Sequence, residues 1–125
     1  SQAMDMLAYF ELQDHAYAHP QSLAYGLRRR LEIARALMPG PTLLLLDEPA
    51  AGLNPAEIAE LIGTIERLHE ERGISILLVE HHMEVVMSLC RTIHVVDFGK
   101  KIAAGTPEEI RTDPKVLQAY LGDEA

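Results

Sequence analysis

Leu43-Leu44-Leu45-Leu46-Asp47-Glu48-Pro49 is the stretch of sequence that decides the fold of this chain. The apolar run begins at Thr42, directly after the helix breakers Pro39-Gly40-Pro41. A short continuous apolar run between breakers predicts a strand that is buried on both faces, as in a parallel sheet. Two adjacent carboxylates follow at the C-terminal end of this strand. In open α/β sheets that edge is where ligands bind, so the stretch predicts both a fold class and a site.

Asp47 and Glu48 suit two different chemical roles. An aspartate at this position can hold Mg²⁺, usually through water, because the ion keeps much of its hydration. The next carboxylate points in a different direction and can orient an attacking water as a general base. A charged strand end that leads into a loop would contain the same residues. Taken alone, the stretch therefore leaves both interpretations open.

Helical and strand patterns continue on both sides of this stretch. Met4 to Ala18 and Leu23 to Leu37 are predicted helices. Asn54-Pro55-Ala56-Glu57 is a strong helix start, with an N-cap, a first-turn proline and a glutamate three residues after the cap. The elements predicted after that start are a helix ending at Gly73, a strand from Ile74 to Val79, a helix from Met83 to Cys90, strands from Ile93 to Val96 and from Ile102 to Ala104, a cap at Thr106, and a helix from Pro114 to Leu121 before Gly122.

Strand, helix, strand, helix, strand in this order indicates an α/β fold with a parallel sheet and crossover helices. The turn after Val96 is short enough for a final antiparallel hairpin. The first helices precede every strand, which suggests that they belong to a helical subdomain.

A second candidate site residue follows the second predicted strand. Leu77-Leu78-Val79 leads into Glu80-His81-His82. We expect His81 to lie at the same sheet edge as Asp47, where a histidine can hydrogen-bond a terminal phosphate and the attacking water. Neighbouring side chains point apart, which disfavours a metal site shared by the two histidines, so we expect His82 to be a surface residue.

A third segment, Ser22-Leu23-Ala24-Tyr25-Gly26-Leu27, opens the helix that carries Arg28-Arg29-Arg30. Backbone amides at such a helix start favour phosphate oxygens. The alternative for the arginines is a solvated helix face with ion pairs to nearby acids. His15 and His19 are four residues apart, and a frayed, solvated helix end is favoured over metal ligation for them.

Composition excludes several classes of function. The chain has 125 residues, 48% of them hydrophobic, and a net charge of -8. Nucleic acid is not an expected partner, because phosphate backbones demand a basic face. No apolar run approaches the ~20 residues that cross a bilayer. The single cysteine, Cys90, fits a reducing compartment and a buried small apolar position.

Taken in order, the three segments resemble the ABC ATPase family. The resemblance covers the chain from Ser22 onward and implies that Asp47 is the Walker B aspartate that holds Mg²⁺. It implies that Glu48 is the catalytic base and that His81 is the catalytic switch histidine. The residues that it implies in ATP contacts are the signature loop, which consists of Leu23, Ala24, Tyr25, Gly26 and Leu27, and the D-loop, which consists of Ala51, Gly52, Leu53 and Asn54.

The signature loop departs from the family's LSGGQ pattern, because it lacks the serine hydroxyl, one glycine and the glutamine. The D-loop ends in Asn54 rather than Asp. Together with Gly105 to Ile110 and Ala119 to Gly122, these features are similar to the ATPase subunits of branched-chain amino-acid importers. ATPases of urea import or lipopolysaccharide export are close alternatives.

The resemblance also implies an organisation and an assembly. Residues 1–41 would be part of the helical subdomain, and residues 42–125 the C-terminal part of a RecA-like ATPase core with a hairpin and helices. The partners would be a second ATPase subunit, membrane permease subunits and, indirectly, a periplasmic or extracellular binding protein. The subunit would lie at the cytoplasmic face of the membrane. A docking module and a non-transport ABC protein are the competing classes.

The chain contains no Gly-x-x-x-x-Gly-Lys-Ser/Thr segment. We expect the Walker A lysine, the base-stacking aromatic residue and the Q-loop to lie upstream of this sequence. Because such a cradle makes most ground-state phosphate contacts, we expect these residues alone to bind ATP poorly and to hydrolyse it negligibly.

Overall fold

The computed structural model describes residues 1–121. Contacts divide the chain into two compact units, Ser1–Glu80 and the residues from His81 onward. The predicted boundary between residues 41 and 42 concerns subdomains of a larger fold and stays a prediction. Among the described residues, no helix is both long and apolar enough to span a bilayer.

The first unit combines helices with one parallel strand pair. Its elements are helix α1 (Gln2–Tyr9), 3₁₀ turns at Gln13–His15 and Pro20–Ser22, helix α2 (Tyr25–Leu37), strand β1 (Leu43–Asp47), helix α3 (Pro55–Arg72) and strand β2 (Ser75–Val79). The predicted helix from Met4 to Ala18 is wrong in its extent. The chain leaves the helix at Tyr9 and buries Phe10 and Leu12 at 3% and 1% exposure. Glu11 between them adopts a left-handed backbone, with φ of 58°, which a continuing helix does not allow.

Tyr9 attaches α1 to the last turns of α3. The guanidinium carbons of Arg67 and Arg72 each lie 4.5 Å from the centre of its ring. Its hydroxyl donates to the carboxylate of Glu71 at 2.8 Å. Cation–π contacts at exposed positions contribute about 0.5–1 kcal/mol each, so this cluster helps to hold a helix that buries none of its own residues.

The parallel pairing of β1 with β2 confirms the central prediction. Their register runs from Leu43 opposite Ser75 to Asp47 opposite Val79. The crossover helix α3 begins with the predicted capping box, in which Asn54 and Glu57 satisfy each other's backbone amides. It ends at Gly73, whose φ of 63° is the left-handed conformation favoured at helix C-termini.

Burial of this sheet on both faces was predicted and is wrong for the described residues. Leu44 is buried on one face, whereas Leu43, Leu45, Leu77 and Val79 are between 52% and 64% exposed. Side chains alternate between the two faces of a strand, so these four residues share one uncovered face. The all-apolar sequence is suited to cover on both sides, but the described residues cover only one.

The second unit contains a hairpin and short helices. Its elements are helix α4 (Met83–Leu89), strands β3 (Ile93–Asp97) and β4 (Lys100–Gly105), helices α5 (Pro107–Arg111) and α6 (Pro114–Val116), and a π-helical turn at Leu117–Leu121. Thr106 and Glu109 form the predicted capping box of α5. Gly122, the predicted end of the last helix, lies outside the described residues.

The expectation that the third strand joins the parallel sheet is wrong within the described residues. β3 pairs antiparallel with β4, and neither pairs with β1 or β2. The pairing with β4 is the predicted hairpin, closed by the turn at Phe98-Gly99, whose φ values of 48° and 76° are both left-handed. Such two-residue turns match the twist of flanking strands and close a local hairpin.

Cys90 packs against the core of the second unit. That core consists of Ile93, Val95, Ile110 and Val116. Burial raises the pKa of the Cys90 thiol above its ordinary value, because a thiolate would lose its hydration there. Cys90 thus packs as a small apolar residue as predicted, although it is only partly buried.

The uncovered face of the β1–β2 sheet predicts that the 125-residue chain self-associates. Leu45 and Leu77 are opposite each other on this face and are 64% and 58% exposed. Exposed apolar patches and open strand edges favour association. Light scattering over a range of concentrations should show growing particles, and replacing the pair by Leu45→Lys with Leu77→Glu should reduce the growth. A monomer at high concentration in the unmodified chain would contradict the prediction.

Candidate functional site

Asp47 and Glu48 lie at a sharp change of backbone direction at the end of β1. Asp47 is the last strand residue, opposite Val79, and its side chain is exposed. The Glu48 amide then donates to the Val79 carbonyl at 2.7 Å. Glu48 itself has a φ of 46°, a left-handed conformation that costs a non-glycine residue about 1 kcal/mol or more. Strain of this kind is concentrated at functional sites.

The segment after Glu48 folds into two tight turns. Ala51 donates its amide to the Glu48 carbonyl, and Leu53 donates its amide to the Ala50 carbonyl, both at 3.1 Å. The buried Ala50 donates its amide to a carboxylate oxygen of Glu80, also at 3.1 Å. The residue that follows β2 therefore holds the residue directly before the D-loop in place.

Glu80 is a functional candidate that sequence reasoning missed. The motif that contains it was interpreted through the neighbouring His81 alone. The available signal was a carboxylate directly after an apolar strand, in the same position relative to β2 that Glu48 has relative to β1.

The signature loop forms the start of α2. A 3₁₀ turn at Pro20–Ser22 precedes it, and Ala24 is the N-cap of the helix. An alanine side chain has no acceptor for the first amides of the helix. These amides form the positive end of a 13-residue helix, which is a suitable position for a phosphate group.

Gly26 allows the starts of α2 and α3 to approach each other. A Cβ atom at Gly26 would overlap the carboxylate oxygen Oε2 of Glu57. The other oxygen of that carboxylate, Oε1, accepts the Asn54 amide at 3.0 Å in the capping box of α3. The first turn of the signature helix thus lies against Glu57, whose carboxylate holds the end of the D-loop.

His81 is exposed and begins the second unit. Its predicted position beside Asp47 involves both units and stays a prediction. His82 is the N-cap residue of α4 and is half-buried, which makes it less exposed than expected.

Arg28, Arg29 and Arg30 lie on a helix face where they form ion pairs and hydrogen bonds within the chain, as the second interpretation expected. Arg30 forms ion pairs with Glu60 and Glu11, and Arg29 with Glu32. Arg28 donates to the Gln21 carbonyl at 3.0 Å. His15 and His19 are exposed, and residues 1–121 contain no group of three or more acidic, histidine or cysteine side chains arranged to hold a metal.

A matched pair of glycine replacements tests the contact between the two helix starts. Gly63 lies in α3 with open space around it, so Gly63→Ala should raise the free energy of unfolding by about 0.5–1 kcal/mol. Gly26→Ala should bring no such gain, because its methyl group displaces Glu57 from the capping box, which costs about 1 kcal/mol. Thermal unfolding of both variants measures the difference. An equal gain in both would show that Gly26 and Glu57 are not in contact.

Two family models match this chain. A model described as ABC transporter matches residues 1–51, and one described as branched-chain amino acid ATP-binding cassette transporter matches residues 100–125. The two matches cover opposite ends of the sequence, and the ABC transporter match includes the signature loop, Asp47 and Glu48.

Curated relatives are similar over nearly the whole chain. The high-affinity branched-chain amino acid transport ATP-binding protein LivG of Salmonella typhimurium is 48% identical over 98% of this chain. BraF of Pseudomonas aeruginosa, which has the same description, is 46% identical over 98% of it. The lipopolysaccharide export system ATP-binding protein LptB of Acidithiobacillus ferridurans is 42% identical over 91%. The chain spans about half the length of these relatives, at 50%, 49% and 48%.

Solved structures share the fold. The ADP conformation of an ATP-binding cassette of an ABC transporter superposes with a TM-score of 0.87 at 29% identity, over 97% of this chain and 49% of that one. A nucleotide-free ATP-binding cassette from an ABC transporter gives 0.81 at 28%, over 95% and 48%. These similarities, together with the geometry of the strand end and of the helix starts, identify the chain as part of the ABC transporter ATPase family, and within it the chain is similar to the branched-chain amino acid group.

Proposed function

We propose that this chain is the C-terminal part of the ATP-hydrolysing subunit of an ABC transporter that imports branched-chain amino acids. The observation that carries the proposal is the 48% identity to LivG over 98% of the chain. The geometry supports it, because the parallel pair β1–β2 presents Asp47 and Glu48 at the strand end that the mechanism requires.

Asp47 and Glu48 divide the chemistry between them. Asp47 is an exposed carboxylate, and Mg²⁺ bound with a nucleotide needs only one or two of these, since water and phosphate complete its shell. The residues therefore fit the ion, which would neutralise charge on the phosphates. Glu48 acts as the general base that orients and deprotonates the attacking water. His81 would contact the terminal phosphate.

The signature loop and D-loop act in a dimer. The amides at the start of α2 would contact the terminal phosphate of ATP that the opposite subunit holds. The D-loop would lie at the same dimer interface. Permease subunits and, indirectly, a binding protein would complete the transporter at the cytoplasmic face of the membrane.

The proposed parent protein supplies the remaining phosphate contacts. This chain contains no Gly-x-x-x-x-Gly-Lys-Ser/Thr segment, and the backbone cradle with its lysine makes most ground-state contacts. Residues 1–125 alone should therefore hydrolyse ATP negligibly, and activity is a property of the longer protein.

Lipopolysaccharide export is the second candidate, favoured by the 42% identity to LptB over 91% of the chain. Both functions use the same ATPase chemistry, so the site cannot separate them. Permease genes beside the gene for this protein, together with a gene for an amino-acid binding protein, would decide for import.

Glu48→Gln in the full-length protein tests the catalytic base. The amide retains the shape and hydrogen bonding of the side chain but cannot accept the proton, so steady-state hydrolysis should fall at least ~100-fold. ATP binding should persist, and an ATP-bound dimer should accumulate. Turnover assays and size-exclusion chromatography with ATP measure these effects. Unchanged turnover would refute the role of Glu48.

Gly26→Asp compared with Ala24→Ser tests the signature loop. The aspartate puts bulk and negative charge beside the phosphates and should abolish ATP-induced dimerisation and hydrolysis. The serine restores a hydroxyl whose bond to a charged group is worth about 1.5–3 kcal/mol, so it should be neutral or mildly favourable. Melting temperatures measured in parallel separate misfolding from loss of phosphate contact. If a folded Gly26→Asp protein retains both properties, residues 23–27 are not the signature loop.

A further inference from the structure

We infer that Tyr25 is a positioning residue that links the signature loop to the D-loop of its own subunit, so that the two loops move together during hydrolysis. This inference rests on the proposed ATPase function and deepens it. It assigns the Tyr25 side chain a role within the subunit, separate from the contacts of its backbone with nucleotide.

The hydroxyl group of Tyr25 both donates and accepts a hydrogen bond. It donates to the Ala51 carbonyl at 3.0 Å and accepts from the Arg29 guanidinium at 2.7 Å. Arg29 also lies over the Tyr25 ring, 5.2 Å from its centre, and pairs with Glu32 at 3.3 Å. A donated and an accepted hydrogen bond together leave the hydroxyl one preferred orientation, and that orientation connects α2 to the D-loop.

The D-loop is shaped to receive the ring. A Cβ atom at Gly52 would lie 3.1 Å from ring carbon Cε1 of Tyr25, closer than ordinary packing allows. Gly52 also has a φ of 77°, which a residue with a side chain rarely adopts. The Tyr25 ring therefore packs against the backbone of Gly52, at a position where a side chain would not fit without a shift.

Two hydrogen bonds hold adjacent residues, Ala50 directly before the D-loop and Ala51 at its start. The carboxylate of Glu80 holds the Ala50 amide at 3.1 Å, and the hydroxyl of Tyr25 holds the Ala51 carbonyl. One attachment comes from the end of β2 and the other from the start of α2. Any shift of the signature loop onto phosphate must therefore either move Ala51 or break the Tyr25 bond.

This arrangement predicts an effect on turnover rather than on ATP binding. A tyrosine that contacted nucleotide directly would change the affinity for ATP when its hydroxyl is removed. A tyrosine that holds Ala51 would leave the affinity unchanged and slow the step that needs both loops in place.

The test is Tyr25→Phe in the full-length protein, with Tyr9→Phe as the matched control. Each replacement removes one tyrosine hydroxyl that hydrogen-bonds within the chain, but the Tyr9 hydroxyl bonds Glu71 at the other end of α3. Tyr25→Phe should lower kcat about fivefold, as the loss of a net hydrogen bond implies, with the KM for ATP unchanged. Tyr9→Phe should leave kcat and KM at wild-type values, and both melting temperatures should shift by similar small amounts.

A double-mutant cycle on kcat adds a second test. If the two side chains affected only the stability of the fold, kcat would show no coupling between Tyr25 and Arg29. Arg29→Met removes the donor to the same hydroxyl, so the double variant with Tyr25→Phe should lose little more kcat than either single variant.

Three outcomes would overturn the inference. The first is a wild-type kcat in Tyr25→Phe, and the second is a raised KM for ATP in Tyr25→Phe. The third is a loss of kcat in the double variant that equals the product of the losses in the two single variants. Absence of ATP hydrolysis by the wild-type protein would instead refute the proposed function, and this inference with it.

Discussion

The parallel pairing of β1 with β2 is the constraint on which the candidate site depends. Its register puts Asp47 opposite Val79, and one further hydrogen bond, from the Glu48 amide to the Val79 carbonyl, continues the pairing past the strand. The chain then turns through the left-handed conformation of Glu48. The backbone positions of both residues are therefore set by hydrogen bonds of the sheet. A rigid strand end of this kind positions catalytic groups better than a free loop could.

The segment from Glu48 to Asn54 is a junction between elements that are distant in sequence. Glu80 holds it from β2, Tyr25 holds it from α2, and the Asn54–Glu57 capping box joins it to α3. The exposed ion pairs around it contribute little stability, since such pairs are worth about 0–1 kcal/mol. Their effect is orientation, as when Glu32 pairs with the Arg29 that donates to Tyr25. Geometry at this junction thus comes from directional polar contacts, while burial of residues such as Leu44 and Leu68 supplies cohesion.

The uncovered apolar face of the β1–β2 sheet agrees with the extent of the chain. Leu43 and Leu45 are exposed on this face, although their run of leucines is typical of a strand covered on both sides. The chain spans about half the length of the curated relatives it matches. Under the proposed function, residues of the longer protein would cover this face.

The sequence by itself determined those helix ends that depend only on residues close to one another along the chain. The helix start at Asn54, the cap at Thr106 and the stop at Gly73 follow from residues within one turn of each other, and the structure confirms all three. Only the tertiary structure decided the early end of α1 and the link from Tyr25 to Ala51. That link joins residues 26 apart in sequence, and the bond from Ala50 to Glu80 joins residues 30 apart. No local pattern encodes such contacts, because they exist only once the strand pairing has brought distant segments together.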